Sequence, residues 1–315
     1  MVDGPLTSSE IEAFHRDGFL VAKSKLPSSI IEAVQQEIEE VVDEAATKLY
    51  AEGKLTDLHS DSGFLHRAAK LWEQCPEITS IVASEVGFPQ STPRRPTAGK
   101  AFFGLLTAPP LLAMMRQILE STEVYVSGVY RLRPKLPAQP NGVVPWHQDQ
   151  CFFAPCSDAQ PTPLDWSECP PVISAWVPLM NATMEAGGMQ MIKPAQATLH
   201  RHYQANVTAP STTLHPDCFP ANIAVVDAPA MIGDVLLFSA YTPHRSIENS
   251  AGLMRWAADI RYNVPDAGDY YPREGGFLGC SSNPDADVVS DWRECVSTSL
   301  STTRCCTLLR LQSCE

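Results

Sequence analysis

The feature that most restricts how this 315-residue chain can fold is a change of character at Glu123. Downstream lie short segments rich in β-branched and aromatic residues: Val124–Leu132, Val172–Leu179, Ile223–Val226, Val235–Phe238 and Arg255–Tyr262. Turn residues separate them, and runs of this length and composition read as strands. Upstream the periodicity is helical. Thr7-Ser8-Ser9-Glu10 is a capping signal with Ile11 and Phe14 at helical spacing behind it, so a short helix over Leu6–Gly18 leads into a strand at Phe19-Leu20-Val21. Ile30, Ile31, Val34, Ile38, Val41, Val42 and Ala45 then recur at three and four, predicting an amphipathic helix over Ser28–Leu49 with Glu37, Glu40 and Glu44 on its solvated face. A further helix is expected from about Pro110 to Glu120, and Pro89–Pro96 reads as a loop. Helices gathered in the first third with strands after them predict a mostly β fold with flanking helices, a cupin-like jelly roll or double-stranded β-helix. No internal repeat or linker interrupts it, so residues 1–290 are expected to form one domain and 291–315 a polar Ser/Thr/Cys-rich tail.

Charge narrows the partners. A formal net charge of −13 and a pI near 5.0 repel phosphate backbones, which predicts no nucleic-acid partner. The N-terminus has no basic segment followed by an apolar one and no long apolar run follows, so the expectation is a cytoplasmic protein with no membrane partner. In that setting the ten cysteines are expected as thiols; Cys295, Cys305, Cys306 and Cys314 crowd the C-terminal end. The sequence carries no signal for the oligomeric state.

The chemistry is concentrated in two places. Val144-Pro-Trp-His147-Gln148-Asp149-Gln150 sets a histidine and an aspartate two residues apart in a strand-like run, and strand periodicity would send both side chains to one face. They would supply two of the three ligands of a 2-His-1-carboxylate facial triad, which leaves coordination positions open on iron(II). Of the remaining histidines His244 is the best third ligand, because it follows the apolar run Gly233–Pro243 and opens the polar stretch His244-Arg-Ser246-Ile-Glu-Asn249-Ser250. His15, His59, His66, His200, His202 and His215 read as ordinary solvated or capping side chains. Arg255 starts the returning strand and would suit the distal carboxylate of a dicarboxylate co-substrate, with Ser246 donating to the same group and Arg261 as a fallback anchor. The aromatics Trp146, Phe152, Phe153 and Trp166 are candidates for a substrate pocket or for plain packing, and Ala154–Pro171 for a lid or a surface loop.

Taken in order, His147-Gln148-Asp149, Trp176 in Ser-Ala-Trp-Val-Pro-Leu, Glu185-Ala-Gly-Gly188-Met-Gln-Met-Ile-Lys-Pro194 and His244-x-Ser246-x-x-Asn249 with Arg255 resemble the phytanoyl-CoA dioxygenase (PhyH) family. The likeness runs from about Leu6 to Val264 and includes Phe14-x-x-Asp17-Gly18-Phe19. The resemblance implies a double-stranded β-helix that binds Fe(II), uses 2-oxoglutarate and O2 as co-substrates, and oxidises a small-molecule substrate, most simply by hydroxylation, with release of succinate and CO2. It implies further that Gln148, Trp176 and Ser246 lie beside the 2-oxoglutarate held by Arg255. Family halogenases replace the acidic ligand with a small residue, and Asp149 is intact, so halogenation is not expected. Where the family usually has Pro-Gly-Ser-His this chain has Pro194-Ala-Gln-Ala. No basic run suits the phosphates of an acyl-CoA, and the acidic chain favours a small neutral or cationic metabolite. Two other readings use the same residues: a cupin-like metalloenzyme performing hydrolysis or isomerisation without 2-oxoglutarate, and a non-catalytic binding module of the same fold.

Overall fold

The computed structural model describes residues 4–87, 99–139, 142–152, 162–163, 172–193, 198–199, 202–204, 212–219, 223–265 and 276–293. Pro89–Pro96, Phe153, Trp166, His200, the loop from Pro194, nearly all of Ala154–Pro171 and the cysteine-rich end lie outside them.

The helical part comprises α1 (Ser8–Asp17), α2 (Ser28–Ala51), α3 (Arg67–Gln74), α4 (Glu77–Gly87), α5 (Lys100–Leu106) and α6 (Pro109–Ile118), with strand β1 (Phe19–Ala22) between the first two helices. The strands after α6 are β2 (Val124–Val126), β3 (Arg131–Lys135), β4 (Thr162–Pro163), β5 (Ile173–Pro178), β6 (Met189–Ile192), β7 (Thr198–Leu199), β8 (His202–Gln204), β9 (Thr212–Leu214), β10 (Val225–Ala228), β11 (Val235–Ser239), β12 (His244–Ser246), β13 (Arg255–Asn263) and β14 (Phe277–Cys280). A large antiparallel sheet runs β1-β11-β5-β13-β2-β14, with β3 also paired to β13. A second sheet has the order β10-β6-β12, and β4-β7 and β8-β9 form two short ribbons. The mostly β jelly roll expected from the sequence is therefore the observed fold.

Local chemistry accounts for the element ends. Thr7 and Glu10 form a reciprocal capping box at the start of α1, and Gly18 closes it at φ 73°, a left-handed conformation that glycine adopts without steric cost. Val124–Leu132, read as one segment, is two strands, because the chain breaks pairing after Val126 and rejoins the same partner strand at Arg131. Lys100–Ile118 is apolar and long enough on composition alone to cross a membrane. Thr107 and Ala108 divide it into α5 and α6, whose apolar residues are buried in the core.

Glu37 corrects the sequence reading. Rather than facing solvent, its carboxylate accepts hydrogen bonds from the amides of Ala101 and Phe102, capping the start of α5. Burial pushes its carboxyl up despite those amides.

The large sheet is buried on both faces, and the side-chain period of two sorts what each face carries. Val235 and Leu237 of β11, Ala175 and Val177 of β5, and Trp256, Ala258, Ile260 and Tyr262 of β13 pack with the helices in one cluster. Leu236 and Phe238, Trp176 and Ala257 point the other way and meet Met189 and Met191 of the second sheet. The site lies on that inward side.

Candidate metal centre

His147 and His244 face each other across an antiparallel pair: each backbone amide donates to the other's carbonyl, at 3.0 and 2.9 Å. Directly opposed residues on two strands carry their side chains to the same side, and the two imidazole centroids are 4.1 Å apart. The Nδ1 of His147 lies 2.8 Å from the Pro145 carbonyl and that of His244 2.9 Å from the Thr242 carbonyl. A carbonyl can only accept, so each Nδ1 carries the proton and each Nε2 presents a lone pair.

Asp149 reaches these nitrogens by a different route from the one expected. The His147–Asp149 segment is not a continuous strand: after the single bridge at His147, the chain enters a 3-10 turn at Asp149–Phe152. Two staples fix that turn to the crossover between β11 and β12. The Gln148 side-chain amide donates to the Tyr241 carbonyl at 2.6 Å, and the Gln150 backbone amide donates to the Ala240 carbonyl at 3.0 Å. Asp149 Oδ1 then stands 3.7 Å from His147 Nε2 and 3.8 Å from His244 Nε2. These distances are too long for hydrogen bonds, and one ligand atom from each residue lies within 4.8 Å of the others. Three buried lone pairs converging without a proton between them repel one another unless a cation sits among them. The donor set therefore fits a metal, and two neutral imidazoles with one carboxylate suit a divalent first-row ion.

Electrostatics keep His244 and Asp149 in the form that can bind a metal. Burial and the neighbouring His147 push the His244 imidazole down to about 4, so it is neutral at pH 7. Burial alone would raise the Asp149 carboxyl, but the Arg261 guanidinium outweighs it and holds the group well below its usual range. Arg261 had been read as a fallback anchor for a co-substrate. Its Nε and Nη2 instead donate to the two oxygens of Asp149 at 3.0 Å each, so it is already engaged.

The N-terminal Asp17-Gly18 pair contributes at a distance. The Gly18 carbonyl accepts from the Ser239 amide at 3.0 Å and the Thr242 hydroxyl at 2.6 Å, while Asp17 pairs with Lys193 at 3.0 Å. The crossover that delivers His244 is thus fastened to the end of α1.

A second constellation adjoins the triad. Arg255 is 3% exposed, lies over the Trp176 ring at 5.4 Å, and donates a long 3.4 Å bond to the Arg133 carbonyl. Its Nε finds no partner among the described residues. Asp259, four residues on, pairs with Arg133 and Arg261 rather than with Arg255. Burial, reinforced by Arg133, lowers the guanidinium to about 9. Beside it on the neighbouring strand is Lys135, a residue the sequence reading missed. Its ammonium donates to Ser246 Oγ at 2.8 Å and to the Ile247 carbonyl, and burial with Arg255 nearby lowers it to about 7. Gly187, at φ 79°, makes room for it, since a Cβ there would lie 2.6 Å from the Lys135 side chain. Asn249 holds the adjoining turn by donating to the Lys135 and Leu253 carbonyls. A signal for Lys135 was present: Arg131, Arg133 and Lys135 recur at strand period, three cations on one face of β3, while Leu132 between the first two joins the apolar core. Trp146 lies beneath Arg245 at 4.8 Å on the flank of the second sheet, a packing role.

Comparison with known proteins gives the family and the fold. The sequence profile of the family described as phytanoyl-CoA dioxygenase (PhyH) matches residues 14–257. A curated relative, 1-deoxypentalenic acid 11-beta-hydroxylase from Streptomyces arenae, is 29% identical over 154 residues. That match covers 45% of this chain and only about half, 49%, of the relative. Among solved structures, the non-heme monooxygenase ThoJ in its apo form superposes with a TM-score of 0.58 at 16% identity, covering 92% of each chain. Its nickel complex gives 0.52 at 16% identity, over 92% of this chain and 93% of that one. At such identity these structures speak for the fold, which they share. With the profile spanning most of its length, the chain belongs to the phytanoyl-CoA dioxygenase family of iron- and 2-oxoglutarate-dependent oxygenases.

Proposed function

We propose that this protein is an Fe(II)- and 2-oxoglutarate-dependent oxygenase that hydroxylates a small organic molecule, with His147, Asp149 and His244 holding the iron. Arg255, Lys135 and Ser246 receive the distal carboxylate of 2-oxoglutarate over the face of Trp176. The observation that carries this reading is the pairing of a buried, converging donor triad with two buried cations, Arg255 and Lys135, that form no ion pair among the described residues. Ser246 is two residues beyond His244 on the same strand face, a separation of about 7 Å. That is the scale of a five-carbon dicarboxylate whose keto-acid end reaches the metal.

Iron with 2-oxoglutarate and O2 supplies the oxidising power that breaks a substrate C–H bond, with succinate and CO2 leaving. The chain's own residues do the rest. The Nδ1 hydrogen bonds fix both imidazoles in the tautomer that presents Nε2, and the staples from Gln148 and Gln150 keep the carboxylate in place. Arg255 and Lys135 orient the co-substrate by charge, and burial of the triad keeps bulk water away from the reacting centre.

Among the described residues the inward face carries Arg131, Arg133, Lys135, Arg255 and Arg261 against Asp149 and Asp259, which revises the expected substrate. A cationic metabolite is disfavoured there, and a neutral or anionic small molecule fits better. A relative that acts on a carboxylic acid is consistent with this. The charge of −13 supports the absence of a nucleic-acid partner.

The test is anaerobic loading with iron(II) followed by titration of 2-oxoglutarate, read by the visible charge-transfer band of the chelated keto acid. The band should appear in the parent protein and be lost in His147→Ala. Iron binding without any band would refute the 2-oxoglutarate assignment and favour a cupin-like hydrolase or isomerase.

A further inference from the structure

We propose that Arg261 is a positioning residue for Asp149: it grips both carboxylate oxygens so that a single lone pair of Oδ1 is left for the metal. The inference rests on the triad reading above and concerns how the acidic ligand is presented.

The argument is a count of acceptor sites. A carboxylate has about four lone-pair directions, two on each oxygen. Oδ2 of Asp149 receives the Ser174 hydroxyl at 2.6 Å and Arg261 Nε at 3.0 Å, which fills it. Oδ1 receives Arg261 Nη2 at 3.0 Å, an atom that lies equally close to the already filled Oδ2. Counting donors among the described residues, the one remaining direction belongs to Oδ1, the oxygen that faces the two imidazole Nε2 atoms at 3.7 and 3.8 Å. A planar fork bonded to both oxygens also prevents the carboxylate from turning about its own axis, which a point charge would allow.

Arg261 can hold because it is held. Its Nη2 also donates to Asp259 Oδ2 at 3.2 Å, and its Nη1 donates to the Val129 carbonyl at 3.3 Å. Asp259 is in turn gripped by Arg133, whose Nε and Nη2 lie 3.3 and 3.2 Å from the same oxygen. Arg261, Asp259 and Asp149 are all buried. The acidic ligand is thus the inner end of a chain of alternating charges, Asp149–Arg261–Asp259–Arg133, whose two middle members lie on the inward face of β13. Held to one donor oxygen, Asp149 cannot chelate, and the position a second oxygen would occupy stays available to co-substrate and oxygen.

Cobalt(II) binding followed by visible absorption tests this without turnover. Arg261→Lys keeps the charge but loses the fork; its apo-protein should melt close to the parent, bind cobalt roughly 10- to 100-fold more weakly and show an altered ligand-field spectrum. Unchanged affinity and spectrum in Arg261→Lys would overturn the inference, provided the parent binds cobalt and His147→Ala does not. If the parent itself binds no cobalt, or His147→Ala binds it equally well, the triad reading has failed first. Should Arg261→Lys not fold, Asp149→Gly decides the matter. Added formate should restore cobalt binding there by occupying the vacant fork, and should restore none in Asp149→Gly/Arg261→Gln. Absence of formate rescue in folded Asp149→Gly, or equal rescue in the double variant, would sink the proposal.

Discussion

The two faces of β13 divide the labour of this protein within nine residues. Outward, Trp256, Ala258, Ile260 and Tyr262 pack against helices, with Trp256 stacked on Phe64 at 6.0 Å and the Tyr262 hydroxyl donating to the Leu106 carbonyl at 2.8 Å. Inward, Arg255, Asp259 and Arg261 present charge, and these side chains are buried as well. Burying an apolar side chain stabilises the fold in proportion to its area, whereas burying a charge costs free energy unless a partner compensates. One face therefore supplies stability; on the other Asp259 and Arg261 compensate each other, and Arg255 alone of the three forms no ion pair among the described residues, a cost that ligand binding would offset.

The comparison breaks if an outward substitution damages ligand binding or if replacing the unpaired Arg255 lowers stability. The largest effect is expected from Trp256→Ala, which should lower unfolding stability by about 3–5 kcal/mol while the folded fraction keeps its 2-oxoglutarate band; urea denaturation with parallel titration checks both. Next, Arg255→Leu should weaken 2-oxoglutarate about 10- to 100-fold in the iron-loaded protein. Its apo-protein should melt no lower than the parent, because it sheds a buried cation that forms no ion pair among the described residues; a clear drop in melting temperature would mean that Arg255 is structural.

A smaller effect concerns pH. The Lys135 amine is lowered from 10.5 to about 7. Below that value it is already protonated when the co-substrate arrives; above it, binding must take up a proton. Affinity for 2-oxoglutarate should therefore fall as pH rises from about 7, by up to roughly tenfold per unit. Lys135→Met should flatten that slope, and a slope unchanged in the variant would remove Lys135 from the co-substrate site. The smallest effect, about 0.5–1.5 kcal/mol in stability with binding untouched, is expected for Ile260→Val, which calibrates the outward face.

What could be read in the sequence was what short-range chemistry or fixed spacing determines. The capping box of α1, the periodicity of α2 and the order His147, Asp149, His244, Arg255 all have local or strongly patterned signatures. What escaped depends on partners far away in the chain. The turn at Asp149 is set by staples to Ala240 and Tyr241, some ninety residues on, so strand periodicity reached the right face by the wrong conformation. Glu37 looked solvated because the amides it caps belong to another helix. Arg261 and Arg255 sit on one strand face with identical chemistry, and only the position of Asp149, which Arg261 grips and Arg255 does not, separates their proposed roles.

The pairing of β1 with β11 has a consequence for the handling of this protein. β1 is the outermost strand of the large sheet, and it covers Val235-Leu-Leu-Phe-Ser, a run buried at every position. Were the first two dozen residues removed or proteolysed, that apolar run would become a bare sheet edge, ready to recruit the same segment of another molecule. The segment that steadies the histidine-bearing crossover would thereby also shield the chain from self-association, and a shortened form should precipitate.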